Sequence, residues 1–342
     1  MPVRQGARFL LYVFITVSVF SFLPFLSGSA ADNPLEKDMA MAEELSQVES
    51  KSSTSREPAV ETEKKPDEAF LRRLDTEVVV KKEEGIMQDA ESYVRYMPGR
   101  AAYDQSGKVG LIASNAEYNY AWKAFGKLPV ELSIDSEYIG INNSTVVKLP
   151  AHLTSLSIGA EVTLPFFNFD KTYFRVGVYP SMETGNWNFR SSAFRIPSQY
   201  ALIYQPNEKL TLVAGIGVFP DYLDPVWGAV GFIYKPNDKW TFNIIPERGT
   251  ITYALSEKLS LFAEGDIIRS EFEVDKDERK GVILEYNENR LGTGMQYQPN
   301  KNIQTSLSVG GAFGRNFRYD DSLGKVNIKN GFYSEFRIQI NI

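Results

Sequence analysis

The segment Gly331-Phe-Tyr-Ser-Glu-Phe-Arg-Ile-Gln-Ile-Asn-Ile342 decides the fold. Successive side chains of a strand point to opposite faces. Phe332, Ser334, Phe336, Ile338, Ile340 and Ile342 therefore share one face, and Tyr333, Glu335, Arg337, Gln339 and Asn341 share the other. One face is apolar and the other polar or charged. A strand this long and this apolar is an aggregation hazard if left as a sheet edge, and closing the sheet into a barrel removes the edge.

The same alternation recurs upstream. Leu210, Leu212, Ala214, Ile216 and Val218 fall on one face, and Leu259, Leu261, Ala263 and Ile267 lie opposite Ser260, Glu264 and Asp266. Leu156, Ile158, Ala160, Val162 and Leu164 alternate with Ser155, Ser157 and Glu161. Val130, Leu132 and Ile134 alternate with Glu131, Ser133 and Asp135, and Ile303, Thr305, Leu307 and Val309 with Gln304, Ser306 and Ser308. A soluble barrel puts the apolar set inside, whereas a membrane barrel turns it toward lipid and keeps charge in the lumen. Alternation alone is compatible with both.

The connections favour the membrane. Tyr204-Gln-Pro-Asn-Glu-Lys209, Tyr234-Lys-Pro-Asn-Asp-Lys239 and Tyr297-Gln-Pro-Asn-Lys301 repeat one device, with Tyr253-Ala-Leu-Ser-Glu-Lys258 as a looser fourth. Proline presets φ and asparagine tolerates the left-handed region, so both suit tight turns. A tyrosine at the strand end keeps its ring in lipid and its hydroxyl in water, which makes Tyr204, Tyr234, Tyr253 and Tyr297 the expected interfacial girdle of one rim. The opposite connections, 183–192, 221–225, 275–280 and 315–325, are more varied and polar. Short turns on one rim and longer loops on the other fit periplasmic and external sides.

Thirteen strands are legible between 109 and 342, and a fourteenth over 92–104 is interrupted by Pro98. Losing one of the two short central strands near 239–255 would instead leave twelve. The expected fold is thus an all-β, closed antiparallel transmembrane β-barrel of twelve to fourteen strands, occupying 92–342.

Two segments precede it. Residues 1–31 carry Arg4 and Arg8, an apolar run from Phe9 to Leu26, and the small-residue exit Ser27-Gly-Ser-Ala-Ala31, the layout of a cleaved signal peptide. Residues 32–91 hold seventeen acidic and nine basic residues, with Phe70 as the one aromatic. Such a stretch buries too little apolar surface to offset its conformational entropy. It reads as a disordered or partly helical periplasmic tether; the alternatives are a contact with peptidoglycan or a periplasmic protein, or a plug folded into the pore.

The Tyr-x-Pro-Asn-(Glu/Asp)-Lys turns, with Pro220 and Pro246 at the opposite strand ends, resemble bacterial outer-membrane β-barrels grouped as domains of unknown function. The resemblance covers about residues 105–342 and implies outer-membrane lipid around the barrel and insertion by the outer-membrane assembly machinery. The chain ends on Ile342, with Phe336 further in, where such proteins commonly carry a terminal aromatic.

Composition excludes several chemistries. There is no cysteine, hence no disulfide, thiolate metal site or cysteine nucleophile. His152 is the single histidine, so no multi-imidazole zinc site exists. A Ser–His pair with Ser155 or Ser157 would need His152 on the lumen face, and alternation puts it on the other face or the rim. Gly310-Gly311 and Gly215-x-Gly217 sit in strands and read as places where strands bend or pack closely. No basic patch suggests nucleic acid, and no cofactor is expected.

The candidate lumen lining is Glu131, Asp135, Glu161, Arg175, Arg195, Glu264, Asp266, Glu335 and Arg337. These charges form either a cation-attracting stripe or a salt-bridged interior. The first implies a porin-like outer-membrane channel for small solutes. The second implies a structural or adhesive barrel with a filled lumen, working through its loops or tether. An outer-membrane enzyme ranks behind both.

Overall fold

A computed structural model describes residues 87–342 except 104, 126, 127, 168, 221, 223, 224, 246, 247, 321 and 322. The expected signal peptide, the tether as far as residue 86, and Pro246 lie outside these residues. The chain first forms β1 (Met87–Ala101), β2 (Lys108–Ala124), β3 (Leu128–Asn143), β4 (His152–Pro165), β5 (Thr172–Val178) and β6 (Ser181–Gly185). Next come β7 (Phe194–Arg195), β8 (Ser198–Asn207), β9 (Leu210–Val218), β10 (Val226–Tyr234), β11 (Trp240–Ile244) and β12 (Arg248–Ala254). Five strands complete it: β13 (Leu259–Lys276), β14 (Arg279–Asn300), β15 (Ile303–Tyr319), β16 (Lys325–Asn327) and β17 (Gly331–Asn341).

Three pairs of these strands are single staves with a break. Proline has no N–H to give a ladder, and Pro180 separates β5 from β6 as Pro197 separates β7 from β8. The third break falls between β16 and β17. The barrel therefore has fourteen antiparallel staves. It closes because β1 pairs with β2 on one side and β17 on the other, Val94 lying opposite both Ser114 and Phe336. The strand expected over 92–104 is present, and pairing carries it back to Met87, so residues 87–91 belong to the wall and not to the tether. Pro98 leaves its mark as a register shift between Met97 and Arg100. The short β11 and β12 are both present, which rules out the twelve-strand alternative.

Side-chain direction resolves the ambiguity left by alternation. Leu132, Ile158, Ile216, Val230, Leu291, Leu307 and Phe336 are exposed on the outer surface, while Arg95, Glu264, Asp266, Arg290 and Glu335 are buried inside. This is the reverse of a soluble barrel and the arrangement lipid requires. The four girdle tyrosines all lie at the rim that also carries both ends of the barrel wall. Trp240 extends their belt, its ring 4.7 Å from that of Tyr253.

Inside, aromatic rings fill the space left by glycines on neighbouring strands. Tyr333 covers Gly292 and Gly310, Tyr179 covers Gly159 and Gly177, and Phe262 covers Gly294. Of the glycines expected to mark bends or close packing, Gly215, Gly217 and Gly310 sit against neighbouring atoms, whereas Gly311 has room around it.

The rim opposite the girdle tyrosines departs from a simple ring of loops. β13 and β14 are 18 and 22 residues long, although about 9–11 suffice to cross a membrane. The loop expected over 275–280 is mostly strand, and Arg315, expected to open a loop, is buried within β15. The upper part of the β13–β14 hairpin leans across the mouth, and Glu273 pairs with Thr184 of β6 on the far side of the ring. Beneath it Phe272, Val274 and Leu284 pack with Leu111, Ile139, Leu153 and Phe317 into one buried apolar cluster. Apolar residues of opposite walls thus meet at this end of the barrel.

A methyl group tests the glycine packing. At Gly294 a Cβ would come within 2.4 Å of the Leu307 carbonyl oxygen, whereas at Gly228 it meets only the Gly215 carbonyl oxygen at 3.9 Å. Gly294→Ala is expected to lower unfolding stability in urea by about 1–3 kcal/mol, as overpacking does, with Gly228→Ala well below that.

Candidate functional site

The lumen is built by every second residue of each stave. All nine expected lining residues turn inward, and they fall into three groups. The largest lies on β1, β12, β13, β14 and β17. Glu335 accepts hydrogen bonds from Arg95 Nε at 2.8 Å and Arg337 Nη2 at 2.7 Å, and the Arg248 and Arg290 guanidinium groups each lie 3.9 Å from it. Glu264 accepts from Arg248 Nη2 at 2.6 Å and from the Tyr333 hydroxyl at 3.1 Å. Asp266 lies 3.3 Å from Arg290 and 3.7 Å from Arg248, and Arg337 reaches Glu91. Above this group Arg315 donates to Glu288 at 2.9 Å.

The second group is smaller. Glu131 and Glu161 stand opposite each other on β3 and β4. Glu161 accepts from the Tyr179 hydroxyl at 2.6 Å, and Arg175 is 3.6 Å away. Asp135 accepts from Asn115 Nδ2 at 2.7 Å.

Arg195 belongs to a third group, under the hairpin that crosses the mouth. It lies 3.7 Å from both Glu183 and Glu271, with its guanidinium 4.1 Å over the Tyr222 ring. Nearby, Ser192 Oγ donates to Glu273 at 2.9 Å and Arg190 grips Asp275 through two bonds of 2.7 and 2.8 Å. Arg190 holds the Asp275 carboxyl below the usual carboxylate range through these bonds. Sequence reading missed Arg95, Arg248, Arg290, Glu288 and Glu91. Arg95 and Arg290 show the inward parity, but Glu91 fell in the expected tether and Arg248 among the short segments near 239–255, where the strand pattern is weak.

Between the charged group and the apolar cluster lies a cavity of about 750 Å³. Met97, Leu111 and Ile139 form its apolar side, Arg95, Asp266 and Arg337 its charged side, and Phe219, Tyr222 and Trp227 an aromatic wall. His152 faces away from it. Its ring lies 5.5 Å from Tyr138 and 5.4 Å from Trp187, on the opposite strand face from Ser155 and Ser157. Among the described residues no group of three or more His, Cys, Asp or Glu is placed to hold a metal ion.

Glu335 anchors the network. Removing one member of a buried ionic group leaves its partners uncompensated and costs about 3–5 kcal/mol. Glu335→Ala is expected to lose that much in urea unfolding. Adding Arg95→Met should recover part of the loss, the signature of coupling in a double-mutant cycle.

The sequence profile described as "Domain of unknown function (DUF6268)" matches residues 132–341. The fold is similar to that of the COG4313 outer membrane channel from Pseudomonas putida F1, at 13% identity and a TM-score of 0.44, over 75% of this chain and 95% of that one. It is also similar to a Pseudomonas aeruginosa FadL homologue, at 11% identity and a TM-score of 0.41, over 75% and 90%. LpxR from Salmonella typhimurium matches at 12% identity and a TM-score of 0.34, over 74% and 99%. No curated protein matches the chain.

Proposed function

This chain belongs to the family described as Domain of unknown function (DUF6268), and we propose that it is an outer-membrane channel for small solutes, gated at its outer end. The observation that carries this reading is the cavity of about 750 Å³ inside the barrel, bounded by side chains of β1, β2, β3, β10, β13 and β14. That volume is in the range of sites that take a small molecule. Its charged side attracts and orients polar solutes, and the outer membrane supplies the lipid that the apolar exterior needs.

The hairpin across the mouth acts as the gate. Its hold on the far rim is solvent-facing at Arg190–Asp275, a kind of pair worth little on its own, and buried at Arg195–Glu271 and the Glu273–Thr184 strand pair; these contacts and its apolar underside must release for the mouth to open. Lumen chemistry of this kind supports passage and not a reaction, because the carboxylates are committed to arginines and tyrosines.

The apolar cluster itself favours a second reading, a structural barrel whose outer end is permanently filled. The two differ in a bilayer. Glu271 and Glu285 are paired partners on β13 and β14, so replacing residues 272–284 with Asn-Gly joins them by a two-residue hairpin turn. The gated channel predicts small or rare conductance steps for the native protein in planar bilayers, and frequent larger steps for the shortened one. A folded, heat-modifiable barrel that conducts in neither form overturns the channel and leaves the filled barrel.

A further inference from the structure

The wall of the barrel is incomplete on one side. β11 and β12 are only five and seven residues long. β11 pairs with β10 at Phe232–Tyr234 alone, and the last pair of β12 with β13 is Arg248 with Asp266. Beyond those pairs β10 runs on to Val226 with β9 at its other edge, and β13 runs on to Lys276 with β14 at its other edge. Among the described residues no strand pairs with β10 over 226–231 on this side, or with β13 over 267–272, above which Glu273 meets Thr184 of β6. The result is a notch in the wall.

The cavity reaches this notch. Trp227 and Gly228 of β10, and Ile267 and Ile268 of β13, line the same cavity as Arg95 and Asp266. An unpaired sheet edge cannot face hydrocarbon, and is tolerated at membrane depth only where it lines a cavity. The outer lips of the notch are nonetheless apolar, with Val226 59%, Val230 77% and Ile267 62% exposed. A polar interior therefore meets an apolar exterior through one opening. Just inside it, the Trp227 and Phe219 rings stack at 6.1 Å.

We propose that this notch is a lateral portal through which a small amphipathic molecule, an apolar body with one polar end, passes between the cavity and the surrounding lipid. The cavity has matching parts. Met97, Leu111 and Ile139 receive the apolar body alongside the aromatic wall, and the arginine–carboxylate group receives the polar end. The hairpin closes the mouth above, so a molecule in the cavity leaves sideways. The proposal rests on the channel reading and supplies its substrate class.

The test uses the absence of native cysteine. Gly228→Cys with Ile267→Cys places one thiol on each lip, and a flexible bismaleimide bridges them. The full-length double variant is placed in nanodiscs containing a diazirine-bearing medium-chain fatty acid and illuminated before and after bridging. Labelled residues are read by mass spectrometry. Before bridging, label is expected on inward Met97 and Phe219 as well as on lipid-facing Leu291. Bridging should abolish label at Met97 and Phe219 and leave Leu291 unchanged. Label confined to Leu291 before bridging, or cavity label that survives bridging, overturns the portal. Conductance of the hairpin-shortened protein decides the channel separately, since ions need the opened mouth and not the notch.

Discussion

Lipid can neither accept a hydrogen bond nor solvate a charge, and the arrangement of this barrel follows from that. Backbone groups must find partners within the wall, so β1 closes on β17 and the fourteen staves form a ring. With a side-chain period of two, an apolar set facing lipid forces the alternate set inward. That set includes Arg95, Glu264, Asp266, Arg290, Glu335 and Arg337. Charges confined to an interior must be paired there, and the network centred on Glu335 is the consequence.

The three departures from a regular cylinder also have physical reasons. β13 and β14 outrun the membrane, and their projecting apolar residues need burial, which they find by folding inward against Leu111, Ile139 and Leu153. β11 and β12 stop short, leaving edges that only a cavity can border. Glycines sit where tyrosine and phenylalanine rings cross the interior, so that packing is tight around Tyr333 and Phe262 while space remains beside Gly228. A long hairpin on one side and a short one on the other turn a straight tube into a closed mouth with a side opening.

Much of the wall was legible in the sequence because each strand carries its own record. The Phe332–Ile342 alternation identifies one face of β17 without reference to any other residue, and the Tyr-Pro-Asn turns fix the rim to which strand ends belong. Even the weak strand broken by Pro98 is visible. The lumen was legible only in half. Parity marks Glu335 and Asp266 as inward, but Arg95 lies 240 residues from Glu335 along the chain, and nothing local names it; Arg248 stands across one hairpin from Asp266, in a stretch whose strand pattern is weak. The crossing hairpin was misread as a polar loop because Asp275, Lys276, Asp277 and Glu278 look alike whether they cap a long hairpin or link two strands. The notch depends on the relative lengths of non-neighbouring strands, which alternation does not record.

The inside-out distribution of polarity is the point on which everything else stands, and it is measured directly by spin-label accessibility in a lipid bilayer. Single cysteines introduced in turn from residue 304 to residue 309 on β15, each spin-labelled, give a series against oxygen, which concentrates in lipid, and against a water-soluble nickel chelate. Oxygen accessibility should peak at 305, 307 and 309 and fall at 304, 306 and 308. A peak at 304, 306 and 308, or chelate accessibility at all six positions, would mean that Leu307 and Val309 do not face lipid and that the barrel is not built around a polar interior in a membrane.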